Sequence, residues 1–434
     1  MNILFAAGHL PASQGRQAGA RHSYHVCEHL ARRHRVHLLA FATRDELAHL
    51  RSEDMDLFAS SQLVPVTDRE RLTGILAAPQ LPLQVAARTS RRYARLLRES
   101  LRSESVDVVV LDHTAMFQYA SLFPDSIVTL GSAHDILAQS FERKASAAAN
   151  PLLRYLLRCE QRRIRDWEQG AFEKLDYVMV LSQKDRDLVE HIQPAAKAIV
   201  VDLWMSPVEC GDRGNRTSAN LLFWGALDRA ENADAARWAA REILPRIRQA
   251  VPETRLYIAG NRGEVLATEF STRNDVIVTG FVDDVAAMMF NMDIALLPLR
   301  LGAGVKMKTL ECMSAGLPVV TTEVGVEGIH GVSGVDYLVA AAADQLADHT
   351  IHLLRNREQA RAIGNAGRQL LMANHSFSAR MQQAETILIK AVSDRQRPAP
   401  SGSVRECGIQ GSEDTVAHVL SSAGSGTRQS GRKQ

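Results

Sequence analysis

The chain has 434 residues, of which 46% are hydrophobic and 23% charged, with a formal net charge of +2. The length suits two domains, and the composition is that of a globular protein, not a disordered or fibrous one. A charge so near neutrality argues against a dedicated nucleic-acid binder. Five cysteines, Cys27, Cys159, Cys210, Cys312 and Cys407, lie scattered without metal-like pairing, which fits a reducing compartment and no disulfide scaffold. The opening Met1-Asn-Ile-Leu-Phe-Ala-Ala enters a strand with neither a basic n-region nor a long apolar h-region, and no apolar run is long enough to span a bilayer. The expectation is a cytoplasmic protein.

In chain order, short β-rich runs alternate with helical stretches. The first half gives strands at Ile3–Ala6, Val36–Phe41, Val108–Leu111, Ile127–Leu130, Tyr177–Leu181 and Ala198–Val201. The second half gives Leu221–Trp224, Arg255–Ala259, Val276–Val278, Ile294–Pro298 and Val319–Thr321. Such alternation predicts an α/β protein with parallel sheets. A polar, glycine-containing stretch from Ser206 to Ala219 reads as a linker, dividing residues 1–206 from 207–375. The fold class expected is two Rossmann-like doubly wound domains facing a cleft, with ligands outside the carboxyl ends of the strands. Met381–Val392 reads as a last helix. From Ser393 onward the chain is rich in Ser, Gly, Arg, Gln and Pro and lacks aromatics, a composition that predicts disorder over 393–434.

The most informative segment runs from Leu297 to Thr321: strand, glycine turn, amphipathic helix, second turn, strand. Gly302 and Gly304 permit a tight bend and leave bare N–H groups at the helix start, which attract phosphate. Lys306 and Lys308 add cations, and Glu311 follows one turn later. That set suits a nucleotide diphosphate; an ordinary βαβ unit with a flexible turn is the plain alternative. After the first strand, Gly8-His-Leu-Pro-Ala-Ser-Gln-Gly15-Arg-Gln-Ala-Gly19 is a small-residue loop aimed at the cleft but not spaced as GxGxxG, so a structural turn and a ligand loop both stand. His134-Asp135 follows a strand top, with His113 as its rival. No Ser-His-Asp order and no metal-ligand cluster is visible. The arginines from Arg88 to Arg102 could form a basic amphipathic face for anionic lipid at the inner-membrane surface; a solvated helix face is the alternative.

Several ordered motifs carry a resemblance. Leu222-Phe-Trp-Gly-Ala-Leu-Asp-Arg-Ala-Glu-Asn232, Ile243-Leu-Pro-Arg-Ile, Leu256-Tyr-Ile-Ala-Gly260 and Val278-Thr-Gly-Phe-Val-Asp-Asp284 follow one another in the second half. In the first half stand Ala133-His-Asp135, the Glu/Arg helix from Glu160 to Lys174, and Tyr177-Val-Met-Val-Leu-Ser-Gln-Lys-Asp185. Over residues 1–392 the chain resembles the retaining GT-B glycosyltransferases of family four, nearest the bacterial subgroup making surface polysaccharide and cell-envelope glycans.

The resemblance implies sugar transfer from a UDP- or GDP-linked donor to a glycan or lipid-linked acceptor, with retention and without a metal. It implies that Glu311 holds the ribose, backbone at Phe281 and Val282 meets the base, Gly304, Val305 and Lys306 cradle the diphosphate, and Gly15 closes on it from the other domain. His134 matches the family's cleft histidine near the donor sugar. The last helix (376–392) is implied to return to the N-terminal domain. Two departures stand out: Ala303 where a second glutamate is frequent, and Gly225-Ala226 with Glu231 where the family often has Gly-Arg and Lys-Gly. Lys306, Lys308 and Arg229 bring cations in their stead. The alternatives are an inactive nucleotide-sugar-binding partner protein and a GT-B nucleotide-sugar epimerase.

Overall fold

The computed structural model describes residues 1–396 except Arg16, Ser206, 209–210, 212–217 and His375. The expected linker falls largely on residues outside this set, and so does the tail beyond Gln396. The first sheet contains seven parallel strands: β1 (Asn2–Ala7), β2 (Arg35–Ala42), β3 (Ser60–Pro65), β4 (Val108–Asp112), β5 (Val128–Ala133), β6 (Tyr177–Val180) and β7 (Ala198–Val200). Their spatial order is β3-β2-β1-β4-β5-β6-β7. The second sheet contains β8 (Asn220–Trp224), β9 (Arg255–Ala259), β10 (Val276–Gly280), β11 (Ile294–Leu297), β12 (Val319–Thr321) and β13 (Leu338–Val339). It is also parallel, in the order β10-β9-β8-β11-β12-β13.

All eleven expected strands are present within a few residues. The central ones are fully buried apolar runs, as sheets covered by helices on both faces require; Val108, Val109, Val110 and Leu111 have no exposure. Two strands escaped the sequence reading for physical reasons. Ser60–Pro65 is an edge strand with three exposed polar residues at its start, so it lacks the apolar signal. Leu338–Val339 is only two residues long.

In each sheet the strand order reverses once, between β1 and β4 and between β8 and β11. The loops leaving adjacent strands there go to opposite faces and open a crevice at the carboxyl edge. Of the expected site, Gly15 follows β1, Gly225 and Arg229 follow β8, and Gly302 to Glu311 follow β11, while His134 follows β5 and Phe281 and Val282 follow β10.

The last helix, Phe377–Gln396, lies on the first sheet. Met381, Ala384, Leu388 and Val392 are buried with Ile3, Phe5, Leu10 and Leu30 in one core. Glu385 on the same helix meets His34 (2.9 Å), His29 (3.3 Å) and Arg33 (3.4 Å). The helix continues four residues past the expected start of the tail, and its Arg395 pairs with Asp176 and the Ile127 carbonyl. The arginine-rich helix Arg91–Ser103 turns Tyr93 and Leu97 fully inward. Its outer face is charged without exposed large apolar side chains.

Candidate functional site

The turn between β11 and the helix Met307–Ser314 is built as the glycines suggested. Gly302 (φ 109°) and Gly304 (φ 70°) occupy left-handed backbone that a side chain would strain. The helix Met307–Ser314 begins just after them, with Lys306 in the capping position and no side chain satisfying its first N–H groups. Gly304 approaches the first domain so closely that a Cβ there would lie 3.1 Å from the His134 carbonyl oxygen. The two halves of the expected site therefore meet, and Val305 packs beside them against the donor-domain core.

Lys306 and Lys308 are both largely enclosed. Burial, with Arg143 and Lys184 nearby, pushes the Lys306 ammonium down to about 8 against the opposing pull of Glu327. Burial and the Lys306 charge push Lys308 down to about 7. Desolvated cations without full compensation are a standing demand for an anion. Lys308 reaches across to the loop after β8, where its Nζ donates to Asn232 Oδ1. Gly225 makes this approach feasible, since a Cβ there would lie 3.1 Å from Lys308 Nζ. Arg229, exposed, caps the helix Ala230–Trp238 in the same loop, and its charge is felt by Lys308.

Glu327 ties the domains together. Arg143 of the first domain makes a two-pronged contact with it (2.6 Å each) and donates to the Gly302 carbonyl (2.6 Å). Lys184 adds a second cation at 2.9 Å and Lys306 a third at 3.4 Å. Burial opposes ionisation of Glu327, but these partners outweigh it and hold the carboxyl well below its usual range.

Glu311 accepts from Trp224 Nε1 (2.7 Å) and from Arg21 (3.1 Å), whose other nitrogen donates to the Gly15 carbonyl. Burial pushes its carboxyl up, against Arg21 and Trp224. Lys308, one turn earlier on the same helix, bonds Asn232 and not Glu311, whose charged partner is Arg21 from the opposite domain. Gly15 is thus brought to Glu311 through one guanidinium. Phe281 stands exposed just past edge strand β10, with Val282 packed on the domain core.

His134 lies at the domain junction. Its Nε2 donates to Asp112 Oδ1 (2.9 Å), and Asp112 also accepts from the Ser23 hydroxyl (2.7 Å). Burial disfavours the imidazolium, yet the Asp112 charge and hydrogen bond outweigh it and raise His134 above its ordinary value. The other ring nitrogen, Nδ1, faces Gly19, where a Cβ would sit 3.0 Å away. His113, the rival, is driven down to about 3 by burial and by the neighbouring His134 and His9 charges. It is a neutral ring with a positive φ of 81°, packed 5.9 Å from His134.

The sequence reading missed Arg21, Asp112, Arg143, Trp224 and Glu327. Asp112 and Trp224 end strands at the crevice, which is a readable signal; the others act across the domain boundary and leave none. Among the described residues no group of three or more His, Cys, Asp or Glu side chains is placed to hold a metal ion, and no helix is long and apolar enough to cross a membrane.

The two parallel-sheet, Rossmann-like domains are those of the GT-B class of glycosyltransferases. Within it the chain is of the family-four type: residues 19–202 match the family described as Glycosyltransferase Family 4, and residues 218–356 match Glycosyl transferases group 1. The fold is similar to that of sucrose-phosphate synthase from Thermosynechococcus elongatus, with a TM-score of 0.65 at 16% identity over 91% of this chain and 99% of that one. It is similar also to Anabaena HepE in complex with UDP, with a TM-score of 0.63 at 14% identity over 90% and 100% of the two chains. An uncharacterized 44.6 kDa protein of the cps region of Klebsiella pneumoniae is 26% identical over 153 residues. The match covers 33% of this chain and 39% of that relative's length.

Proposed function

We propose that the protein transfers a sugar from a nucleotide-diphosphate sugar, UDP- or GDP-linked, to a glycan or lipid-linked acceptor, with retention and without a metal ion, in surface-polysaccharide or envelope biosynthesis. The observation that carries this reading is the pair of enclosed lysines beside the open start of helix Met307–Ser314. Cleaving the anomeric C–O bond builds negative charge on the departing diphosphate, and preorganised cations with backbone donors stabilise that charge. Lys306 and the N–H groups after Gly304 would hold one phosphate, Lys308 and Arg229 the other. Glu311 would accept from the ribose hydroxyls once Arg21 yields. Phe281 and Val282 would flank the base, two strand spacings from β8, or about 10 Å, within reach of a nucleoside whose phosphates sit at the lysines. His134 would orient a sugar hydroxyl and balance positive charge at the reacting carbon. The UDP complex of HepE and the cps-region relative support the donor class and the pathway.

The reach of Lys308 favours an active enzyme over an inactive partner protein. Its ammonium stands in the loop where Glu231 replaces the usual lysine, so a cation arrives there from the neighbouring helix instead. The deciding experiment is a thermal-shift screen of UDP- and GDP-sugars, since a ligand bound only by the folded state raises the melting midpoint. Incubation of the best donor with acceptor extracts and NMR of the product anomer follow. Transfer with retained configuration supports the proposal. Donor binding with no turnover favours the partner protein, and interconversion of free nucleotide sugars favours an epimerase.

A further inference from the structure

The long helix Pro151–Glu173 carries two apolar stripes, and only one is used inside the protein. Leu157, Glu160, Ile164, Glu168 and Ala171 recur every three or four residues and face inward, where Ile164 joins Leu137, Ala138 and Phe141 in a small core. Glu160 and Glu168 on this face bind backbone N–H groups of Leu83 and of Leu137 and Ala138. The second stripe, Leu152, Tyr155 and Leu156, has the i, i+3, i+4 spacing of a buried face but points to solvent, with Cys159 one turn on half-buried. Leu152 is 66% exposed, Leu153 49%, Tyr155 65% and Leu156 55%. Four large apolar side chains exposed within five residues are not scattered surface residues; a contiguous patch of this kind marks an interaction site.

The charge beside it selects the partner. Arg154, Arg158, Arg162 and Arg165 follow at spacings of four, four and three, a stripe flanking the exposed apolar one. Arg158, Arg162 and Arg165 have no ion-pair partner among the described residues. Between 151 and 165 the only acidic residue is Glu160, which is inward and paired with Arg163 at 2.9 Å. Leucines and a tyrosine bordered by unpaired arginines match the boundary of a bilayer with anionic headgroups: side chains enter the acyl edge, and guanidinium groups stay at the phosphates.

We propose that the start of helix Pro151–Glu173 is a docking surface for an anionic lipid bilayer. It takes the place of the arginine helix Arg91–Ser103, which has charge but no exposed large apolar side chain to insert. The patch begins a few residues beyond Arg143, the residue that clasps Gly302 and Glu327, so docking would hold the mouth of the cleft near the membrane. The proposal stands apart from the transfer chemistry, and its test needs no donor.

Full-length protein is sedimented with vesicles of phosphatidylethanolamine and phosphatidylglycerol, and with vesicles of phosphatidylcholine alone. The expected result is co-sedimentation with the first, weakened by salt, and little with the second. L152E/L156E should lower the bound fraction about tenfold with an unchanged melting midpoint, because both side chains are already in water. R158Q/R162Q/R165Q should abolish the preference for anionic vesicles. Wild-type protein remaining in the supernatant with both vesicles, or L152E/L156E binding as the wild type does, overturns the proposal. A dimer in sedimentation velocity that L152E/L156E dissociates, without vesicle binding, assigns the patch to a second copy of the chain and equally overturns it. Should L152E/L156E lose stability, Tyr155→Trp is read instead by quenching with brominated phosphatidylglycerol; quenching no greater than wild type refutes insertion.

Discussion

Replacing Lys308 with methionine keeps the length and apolar stem of the side chain and deletes its charge. In the ligand-free protein Lys308 sits at about 7 and Lys306 at about 8. At pH 8 the first is therefore about nine-tenths neutral and the second about half neutral. A bound diphosphate supplies the missing anion and returns both ammonium groups toward their ordinary range, so binding at pH 8 should draw in somewhat over one proton. The nucleotide's own phosphates are already ionised there and contribute little. Isothermal titration of UDP or GDP in two buffers of different ionisation enthalpy measures this uptake as the slope of observed enthalpy. In Lys308→Met the uptake should fall to about half a proton, the share of Lys306. Affinity should weaken between about tenfold and a hundredfold, since a charge-assisted hydrogen bond contributes roughly 1.5–3 kcal/mol. For the free protein the sign is opposite to that of a surface lysine. The unfolded chain keeps its protons to about pH 10 while the folded one sheds them from about 7, so these lysines make stability rise with pH across that window. Proton uptake that is absent, or identical in Lys308→Met, refutes the placement of the diphosphate at these lysines.

Three further outcomes follow from the same contacts. Glu311→Gln should weaken nucleotide affinity by calorimetry with a change in melting midpoint of only a few degrees; a fall in stability with affinity intact would make Glu311 a clasp for Arg21 and nothing more. His134→Ala should lower the transfer rate with little change in nucleotide affinity, and Asp112→Asn should bring the His134 titration seen by NMR below its wild-type midpoint. The sign matters here: His134 is raised in the folded state, so its charged form stabilises the protein below about pH 6.5 and that contribution is lost as pH climbs through the elevated value. Leu388→Ala, at a site 1% exposed between the last helix and the first sheet, should cost about 2–5 kcal/mol in denaturant unfolding; a loss under 1 kcal/mol would show that this helix is only loosely seated.

The fold was legible because its signals are local. Strands buried on both faces are written as continuous runs such as Val108-Val-Val-Leu, and the turns after them announce themselves with glycine. Lys306, Lys308 and Glu311 were legible for the same reason, being neighbours in sequence around one turn and one helix. What sequence could not give was the closing of one domain on the other. Arg21 and Glu311 lie 290 residues apart and Arg143 and Glu327 184 apart, and no periodicity links them. The exposed stripe at Leu152–Leu156 was hidden differently. Its spacing is that of any buried helix face, and only the packing of Ile164 and Glu168 shows which stripe is left outside.

The seat of the last helix has a consequence for biosynthesis. Ile3 and Phe5 of β1 share their core with Met381 and Leu388, which are made some 380 residues later. At about 5–20 residues per second that interval is of the order of twenty seconds to more than a minute. Throughout it, one face of the nascent first sheet lacks part of its cover, while the second domain has no such wait because its core is complete before residue 375. The second domain can therefore finish folding before the first, reversing the usual order of synthesis. Chains released before that helix should accumulate as species with a sound donor domain and a sticky, half-covered partner.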